Sequence, residues 1–251
     1  MMVKLVGILN VTPDSFSDGG LYFDPQAAID RAEAIFREGA HLLDVGAEST
    51  RPGAVPLSPD EEWSRLEPVL SALLPRYPNR ITLDTYHPET VHRAFLIGDV
   101  IVNDVTGLTN PAMQDVVLEQ TATVIVSHLP AGTSIQAAHD NPPVTSVSQV
   151  TRELLHTATL LESRGLPRTK IILDPGIGFG KTMEVNQQLL RFAAEVPDYQ
   201  VMIGYSRKRF LGEHRMETAP NIAAGRIAIA SGAAYLRVHD VSAHVDAYGS
   251  M

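Results

Sequence analysis

Cysteine is absent from the 251 residues, which excludes a disulfide framework, a thiolate metal site and a thiol nucleophile. A reducing compartment fits that absence. Basic charge is scarce too: 20 Lys and Arg stand against 29 Asp and Glu, a formal net charge of −9. A duplex-DNA binder needs a basic stripe to neutralise phosphates, so nucleic acid is not an expected partner, and any anionic ligand has to be met by local cations. Also missing is a run of about 18 consecutive apolar residues, the length that crosses a bilayer. The apolar start from Met1 to Leu9 breaks off at Asn10 without a cleavage-site pattern, and reads as a strand rather than a signal peptide. A cytoplasmic protein without a membrane partner is the expectation. What the chain does have is apolar material, 44% of its residues, which rules out the disordered class.

Short β-branched apolar runs recur along the chain, separated by longer stretches with helical spacing. They are Val3 to Leu9, Leu42 to Val45, Ile81 to Leu83, Val100 to Val102, Thr123 to Val126, Lys170 to Leu173, Val201 to Ile203 and Tyr235 to Val238. Their near-continuous apolarity suits parallel strands covered on both faces. Between them, Asp24-Pro25 opens a helix through Phe36, and Ser58-Pro59-Asp60-Glu61 sets a cap, a first-turn proline and acidic residues ahead of Trp63, Leu66, Val69 and Leu70. Gly39 and Gly165 supply stop signals. Nothing marks a domain boundary. Eight βα repeats in about 250 residues predict an α/β fold of one domain over residues 1–251, a closed (β/α)8 TIM barrel rather than a doubly wound sheet.

In such a barrel the reactive groups sit where strands give way to βα loops. Strand by strand, those positions hold Asn10; Glu48-Ser49-Thr50-Arg51; Asp84; Asn103-Asp104; Ser127-His128; Asp174; Ser206-Arg207-Lys208; and His239-Asp240. Any single Asp or Asn here can be a helix cap or turn residue. Capping does not call for an Arg, a Lys and a His at the same mouth. Arg51, Arg207, Lys208, Arg237 and His239 can hold a phosphate or carboxylate, although Arg237 lies within its strand and can face in or out. Asp84, Asn103 and Asp174 offer acceptors, with donors from Asn103, a mix suited to a flat heterocycle with amino and lactam edges.

Two glycine-rich loops stand out. Asp174-Pro175-Gly176-Ile177-Gly178-Phe179-Gly180-Lys181-Thr182 looks at first like a phosphate-binding P-loop, but Pro175 stands where the first glycine belongs. The dinucleotide fingerprint fails as well, because its third glycine falls on Lys181. These glycines instead allow a tight turn or a close backbone approach. The first loop, from Asn10 to Gly20, is long, polar and turn-rich, as lids at barrel mouths are. No HExxH or clustered His pair points to zinc, and His41, His87, His92 and His156 fall on or near helices in surface or core roles. Lys208 can in principle form a Schiff base; a serine hydrolase lacks its nucleophile-elbow motif.

At these residues the sequence resembles the dihydropteroate synthase family of folate-pathway, pterin-binding enzymes. The matching stretches are Asn10-Val-Thr-Pro-Asp-Ser-Phe-Ser-Asp-Gly-Gly20, Glu48-Ser-Thr-Arg-Pro-Gly53, Asn103-Asp104, Asp174-Pro-Gly-Ile-Gly-Phe-Gly-Lys181, Ser206-Arg-Lys208 and Arg237-Val-His-Asp240, in family order over nearly the whole chain. The resemblance implies a barrel that joins 6-hydroxymethyl-7,8-dihydropterin diphosphate to p-aminobenzoate and releases diphosphate, with Mg2+ as cofactor and a homodimer as the assembly. It implies that Asn10 holds Mg2+ against the leaving group. Thr50, Arg51, Arg237 and His239 then meet the diphosphate or other anionic parts, Asp84, Asn103, Asp174 and Lys208 hold the pterin, and Phe16 and Phe179 wall the p-aminobenzoate pocket. Pro52, Gly178, Arg209 and Val238 join the substrate-binding set. Asp18, with Arg51, Lys208, Arg237 and His239, makes up the catalytic set, and its loop position suits stabilising a developing cation.

The sequence departs from the family in three places. Ser127-His128-Leu129-Pro130-Ala131-Gly132 stands where a Met-His-Met-Gln/Arg-Gly stretch is usual, Arg209 where many relatives place a small hydroxyl, and the first strand is expected almost at the start, with the N-terminal hairpin missing or minimal. Two other readings stay open: a methylfolate-dependent methyltransferase of the same superfamily, and a non-catalytic pterin-binding paralogue. The Ser-Thr-Arg-Pro-Gly loop and the Arg-Val-His stretch weigh against the first, which gives them no use, and Asn10, Arg51, Lys208 and His239 weigh against the second, which has no leaving group to stabilise.

Overall fold

The computed structural model describes residues 3–12, 24–48, 55–135, 137–138 and 141–249. Within them, eight parallel strands close into a barrel in chain order: β1 (Lys4–Asn10), β2 (Leu42–Gly46), β3 (Ile81–Asp84), β4 (Ile101–Asp104), β5 (Val124–Ser127), β6 (Ile171–Asp174), β7 (Gln200–Ile203) and β8 (Tyr235–Val238). β8 pairs back onto β1 with Tyr235 opposite Lys4 and Val238 opposite Gly7. All eight expected strands are present. Several run one or two residues beyond the last apolar position, taking in Asn10, Asp84, Asp104, Ser127 and Asp174, because the backbone ladder continues whatever the side chain.

The outer layer consists of α1 (Pro25–Arg37), α2 (Pro59–Leu73), α3 (Pro88–Phe95), α4 (Pro111–Glu119), α5 (Val147–Ser163), α6 (Met183–Gln188), α7 (Thr218–Ala230) and α8 (Val241–Tyr248), with 3-10 segments at Arg168–Lys170, Leu189–Glu195 and Arg209–Leu211. Each of α1 to α4 opens on proline, whose missing N–H costs nothing at that position. Ser58 and Glu61 form a reciprocal capping box at α2, with Glu61 N–H 3.3 Å from Ser58 Oγ and Ser58 N–H 2.9 Å from Glu61 Oε2. The expected α2 core residues Leu66, Val69 and Leu70 are fully buried. No helix among the described residues is long and apolar enough to cross a membrane.

Strand alternation sorts the side chains. Leu5, Leu9, Leu43, Val45, Leu83, Val102, Val124, Val126, Leu173, Val201, Leu236 and Val238 belong to the core shared with the helices. Val6, Leu42, Ile125, Ile172, Met202 and Tyr235 form a separate apolar plug inside the barrel. Everything two residues further along an inward row therefore lies above that plug, at the C-terminal mouth.

Candidate active site

That step of two residues generates the site. From Leu42 it leads to Asp44, from Ile125 to Ser127, from Ile172 to Asp174 and from Tyr235 to Arg237, while Asn103 follows Ile101 and Asp84 follows Thr82. Of the expected residues, Asp84, Asn103, Asp174 and Arg237 are thus brought together, and Arg237 points inward. Its Nε lies 2.5 Å from Asp44 Oδ2 and its Nη2 2.8 Å from Asp84 Oδ2. Asp44, almost fully buried, also accepts from Asn103 Nδ2 at 3.1 Å and from the Thr82 hydroxyl. Burial alone lowers the Arg237 pKa, but the two carboxylates outweigh it and keep the guanidinium charged. Burial and the neighbouring Asp44 push Asp84 up to about 7, against the pull of Arg237.

Asp44 was not among the expected site residues. Its signal was available: a single carboxylate within the apolar run Leu42-Leu43-Asp44-Val45, on the same inward row as Leu42. A charge in a buried strand needs a partner, and the inward Arg237 is that partner.

The second half of the mouth is built by the β6–α6 loop. Asp174 Oδ1 accepts from Gly176 N–H at 2.8 Å, and burial raises its pKa although Lys208 and that hydrogen bond oppose the shift. Lys208 follows β7. Its ammonium donates to the Ile177 carbonyl and lies 5.1 Å from the centre of the Phe179 ring, and burial brings it down to about 8. The loop needs its glycines. Gly176 has φ of 62°, and a Cβ there would come 2.1 Å from the His128 carbonyl oxygen. At Gly178 a Cβ would stand 3.1 Å from Lys208 Cδ, so the backbone packs directly along the lysine stem. Lys181 turns back into the loop and donates to three carbonyls rather than facing an outside phosphate.

Other expected residues fall as follows. Asn10 is exposed at the end of β1, and its side chain has no hydrogen-bond partner among the described residues. His239 is half-buried, with Nδ1 3.0 Å from Ser206 Oγ. Arg207 is exposed with φ of 60°, a conformation held by its N–H donating to Asn221 Oδ1 at 2.9 Å, and Arg209 is exposed at the start of a 3-10 turn. Val238 corrects one expectation: with Arg237 inward, alternation sends Val238 outward into the helix-packed core, fully buried, so its side chain does not line the mouth. Asp104 is outward as well, bonding Thr106 N–H at 2.7 Å, and Asp240 caps α8 through Ala243 N–H at 3.1 Å. Phe16, Asp18, Thr50, Arg51 and Pro52 lie outside the described residues. The two described ends of the segment carrying Thr50 to Pro52 are tied by Glu48, whose Oε2 accepts from Leu57 N–H at 3.2 Å and Oε1 from Tyr86 OH at 2.7 Å.

A layer of carboxylates, an amide, a lysine and an arginine at the mouth is the arrangement that the sequence motifs anticipate, and the family model for pterin-binding enzymes matches residues 6–239. The chain belongs to that family. Dihydropteroate synthase of Neisseria meningitidis serogroup C is 39% identical over 259 aligned positions, which cover 97% of this chain and 90% of the relative. The solved structure of the Xanthomonas albilineans dihydropteroate synthase with 4-aminobenzoic acid superposes with a TM-score of 0.87 at 37% identity, covering 99% of this chain and 92% of the other. The same enzyme in complex with 7,8-dihydropteroate gives a TM-score of 0.83 at 35% identity, with 99% and 92% covered. Inside this mouth three carboxylates, Asp44, Asp84 and Asp174, face two cations, Arg237 and Lys208.

Proposed function

We propose that the chain is a transferase that condenses 6-hydroxymethyl-7,8-dihydropterin diphosphate with p-aminobenzoate to give 7,8-dihydropteroate and diphosphate. The observation that carries this reading is the convergence of Asp84, Asn103, Asp174, Lys208 and Arg237 in one inward layer above an apolar plug. Asp174 and the free oxygen of Asp84 accept from the ring's amino and N–H edge, Asn103 lies beside them, and Lys208 donates to a ring acceptor. Phe179 stands over Lys208 as a wall for the aromatic acid.

The step is an alkyl transfer. The arylamine lone pair forms a C–N bond to the pterin methylene, the C–O bond breaks with its electron pair leaving on diphosphate, and the extra ammonium proton passes to water. The arylamine is nucleophilic without prior deprotonation, so no strong general base is needed. Charge builds up on the departing oxygens, and donors aimed there act more strongly as the bond breaks than before. Arg237 on β8 and His239 just after it, with Thr50 and Arg51, are assigned to this task through the family motif. The assignment of Asp18 to the developing methylene cation, and of Phe16 and Pro52 to the substrates, rests on that motif also.

Mg2+ fits the donor set of one residue. Among the described residues no group of three His, Asp or Glu side chains is arranged to hold a metal, while Asn10 offers an unpartnered amide oxygen at the mouth. A single protein oxygen suits an ion that keeps most of its waters and shares the substrate's phosphates. When bound, Mg2+ neutralises the leaving diphosphate. A cytoplasmic homodimer completes the reading.

The test is diphosphate release by the purified chain with the pterin diphosphate and Mg2+, with and without p-aminobenzoate, repeated with a chelator. Release that needs both the acid and the metal supports the reading. Calorimetric binding of the pterin without release under any condition would move the assignment to a pterin-binding protein that is not a synthase.

A further inference from the structure

Lys181 is the one buried cation of the mouth that the proposed chemistry leaves unused. It is 9% exposed and makes no ion pair among the described residues. Its ammonium donates to the carbonyls of Gly176 at 2.8 Å, Phe179 at 2.9 Å and His128 at 3.2 Å. An ammonium has three donors, so all are used. Burying a charge against neutral acceptors alone is costly, and an uncharged residue would avoid that cost if nothing depended on the arrangement.

What depends on it is the seat of Lys208. Two of the three carbonyls belong to the turn after β6, and the third is that of His128, just after β5, so the ammonium fixes the turn to the end of the neighbouring strand. Between the two held carbonyls of the turn lie Ile177, whose own carbonyl accepts from Lys208 Nζ, and Gly178, whose backbone packs along the Lys208 stem. Phe179, one of the held residues, places its ring 5.1 Å from the Lys208 ammonium. Asn186 completes the turn, accepting from Gly178 N–H at 2.7 Å and donating to the Lys181 carbonyl at 3.2 Å.

We infer that Lys181 is a positioning residue for pterin recognition: its protonated side chain acts as an internal template that shapes the 176–180 turn, and the turn sets Lys208 beside Asp174. The inference rests on the proposed function above. The charged and titratable groups around Lys181 are His128 after β5, Asp174 of β6, Glu153 of α5 and Lys208 after β7. Burial, followed by the Lys208 charge, brings Lys181 down to about 7. A neutral amine keeps two donors and turns a lone pair toward the third carbonyl. The seat therefore loosens, and ring binding weakens, as pH rises through that value.

Lys181→Gln mimics the neutral state, because its amide also has two donors. The readouts are calorimetric binding of 6-hydroxymethylpterin, which lacks the diphosphate, between pH 6 and 8, and the KM for the pterin diphosphate. The variant is expected to bind the ring roughly 5- to 10-fold more weakly at pH 6, in the range of one ordinary lost hydrogen bond, with the gap narrowing toward pH 8 and kcat changing less than KM. In the unaltered protein, saturation with the same pterin is expected to raise the NMR titration midpoint of the Lys181 Cε resonance, a measurement that does not depend on a variant folding. A Lys181 midpoint unmoved by the ligand, or a folded Lys181→Gln protein that binds the ring as tightly as wild type at pH 6, overturns the inference alone. Failure of the unaltered protein to bind the pterin at all overturns the functional reading together with it.

Discussion

Arg237 of β8 and Asp44 of β2 meet inside the barrel across the intervening strand β1, with guanidinium Nε 2.5 Å from the carboxylate. The same carboxylate takes hydrogen bonds from Asn103 and Thr82, so one buried side chain links β2, β3, β4 and β8. This makes Asp44 the organiser of Thr82, Asn103 and Arg237 at the mouth.

Asp44→Asn is expected to show that role in stability. Every neighbour of the carboxylate is a donor, and an amide must turn its NH2 toward at least one of them. Breaking one side of a fully buried pair costs about 3 to 5 kcal/mol, and with Arg237 one-fifth exposed an expected loss of about 2 to 3 kcal/mol follows. Denaturant unfolding measures it. A loss below about 0.5 kcal/mol, the range of ordinary surface changes, would remove Asp44 from this position.

Asp174→Asn is expected to act on binding instead. Asp174 accepts from Gly176 N–H through one oxygen and has the other for the ring, so the amide replaces a charged acceptor with a group that is half donor. Pterin diphosphate affinity should fall by about 1.5 kcal/mol or more, read by calorimetry. Unchanged affinity rules out Asp174 as the ring's partner.

Much of this architecture was legible in the sequence because both of its layers follow short periods. The β-branched runs mark the strands, and a polar residue directly after an apolar run marks the mouth, which is how Asn10, Asp84, Asn103 and Asp174 stood out. Direction was harder to read. Arg237 and Val238 are neighbours on opposite faces of one strand, and only the burial of the strand as a whole decides which of them looks inward. Asp44 was overlooked because it lies before the end of its strand, where a lone carboxylate breaks an apolar pattern without matching a motif. Lys181 was visible only as a failed P-loop, since the carbonyls it serves come from residues 53, 5 and 2 positions away.

Two glycines separate steric need from conformational need. Gly132→Ala, at φ of 73° with nothing within 4 Å of the new methyl, should cost about 1 kcal/mol, the ordinary penalty of a left-handed backbone. Gly176→Ala pays the same penalty and also drives its methyl to 2.1 Å from the His128 carbonyl oxygen, so the turn has to move. Thermal unfolding is expected to rank Gly176→Ala well below Gly132→Ala, and pterin affinity to fall only for Gly176→Ala. Equal effects would mean that the turn has room that this packing denies.

Stability should carry the signature of Asp84. The unfolded carboxyl titrates near 3.9, and the folded one at about 7, chiefly through burial. Between these values the folded protein holds a proton that the unfolded chain has released, so the contribution of Asp84 is full below about pH 4 and is lost as pH rises through about 7. Lys208 acts in another window: lowered to about 8 when folded, it lets stability rise from that pH toward about 10.4, where the unfolded lysine loses its own proton. Subtracting the stability of Asp84→Asn from that of wild type across pH 4 to 9 isolates the first effect, because the amide does not titrate. The difference is expected to decline between pH 4 and 7 and then level off. A difference that instead stays level above about pH 5 would mean that Arg237 holds the Asp84 carboxylate ionised, with its pKa no higher than the unfolded value, and that the balance between burial and ion pairing at this mouth runs the other way.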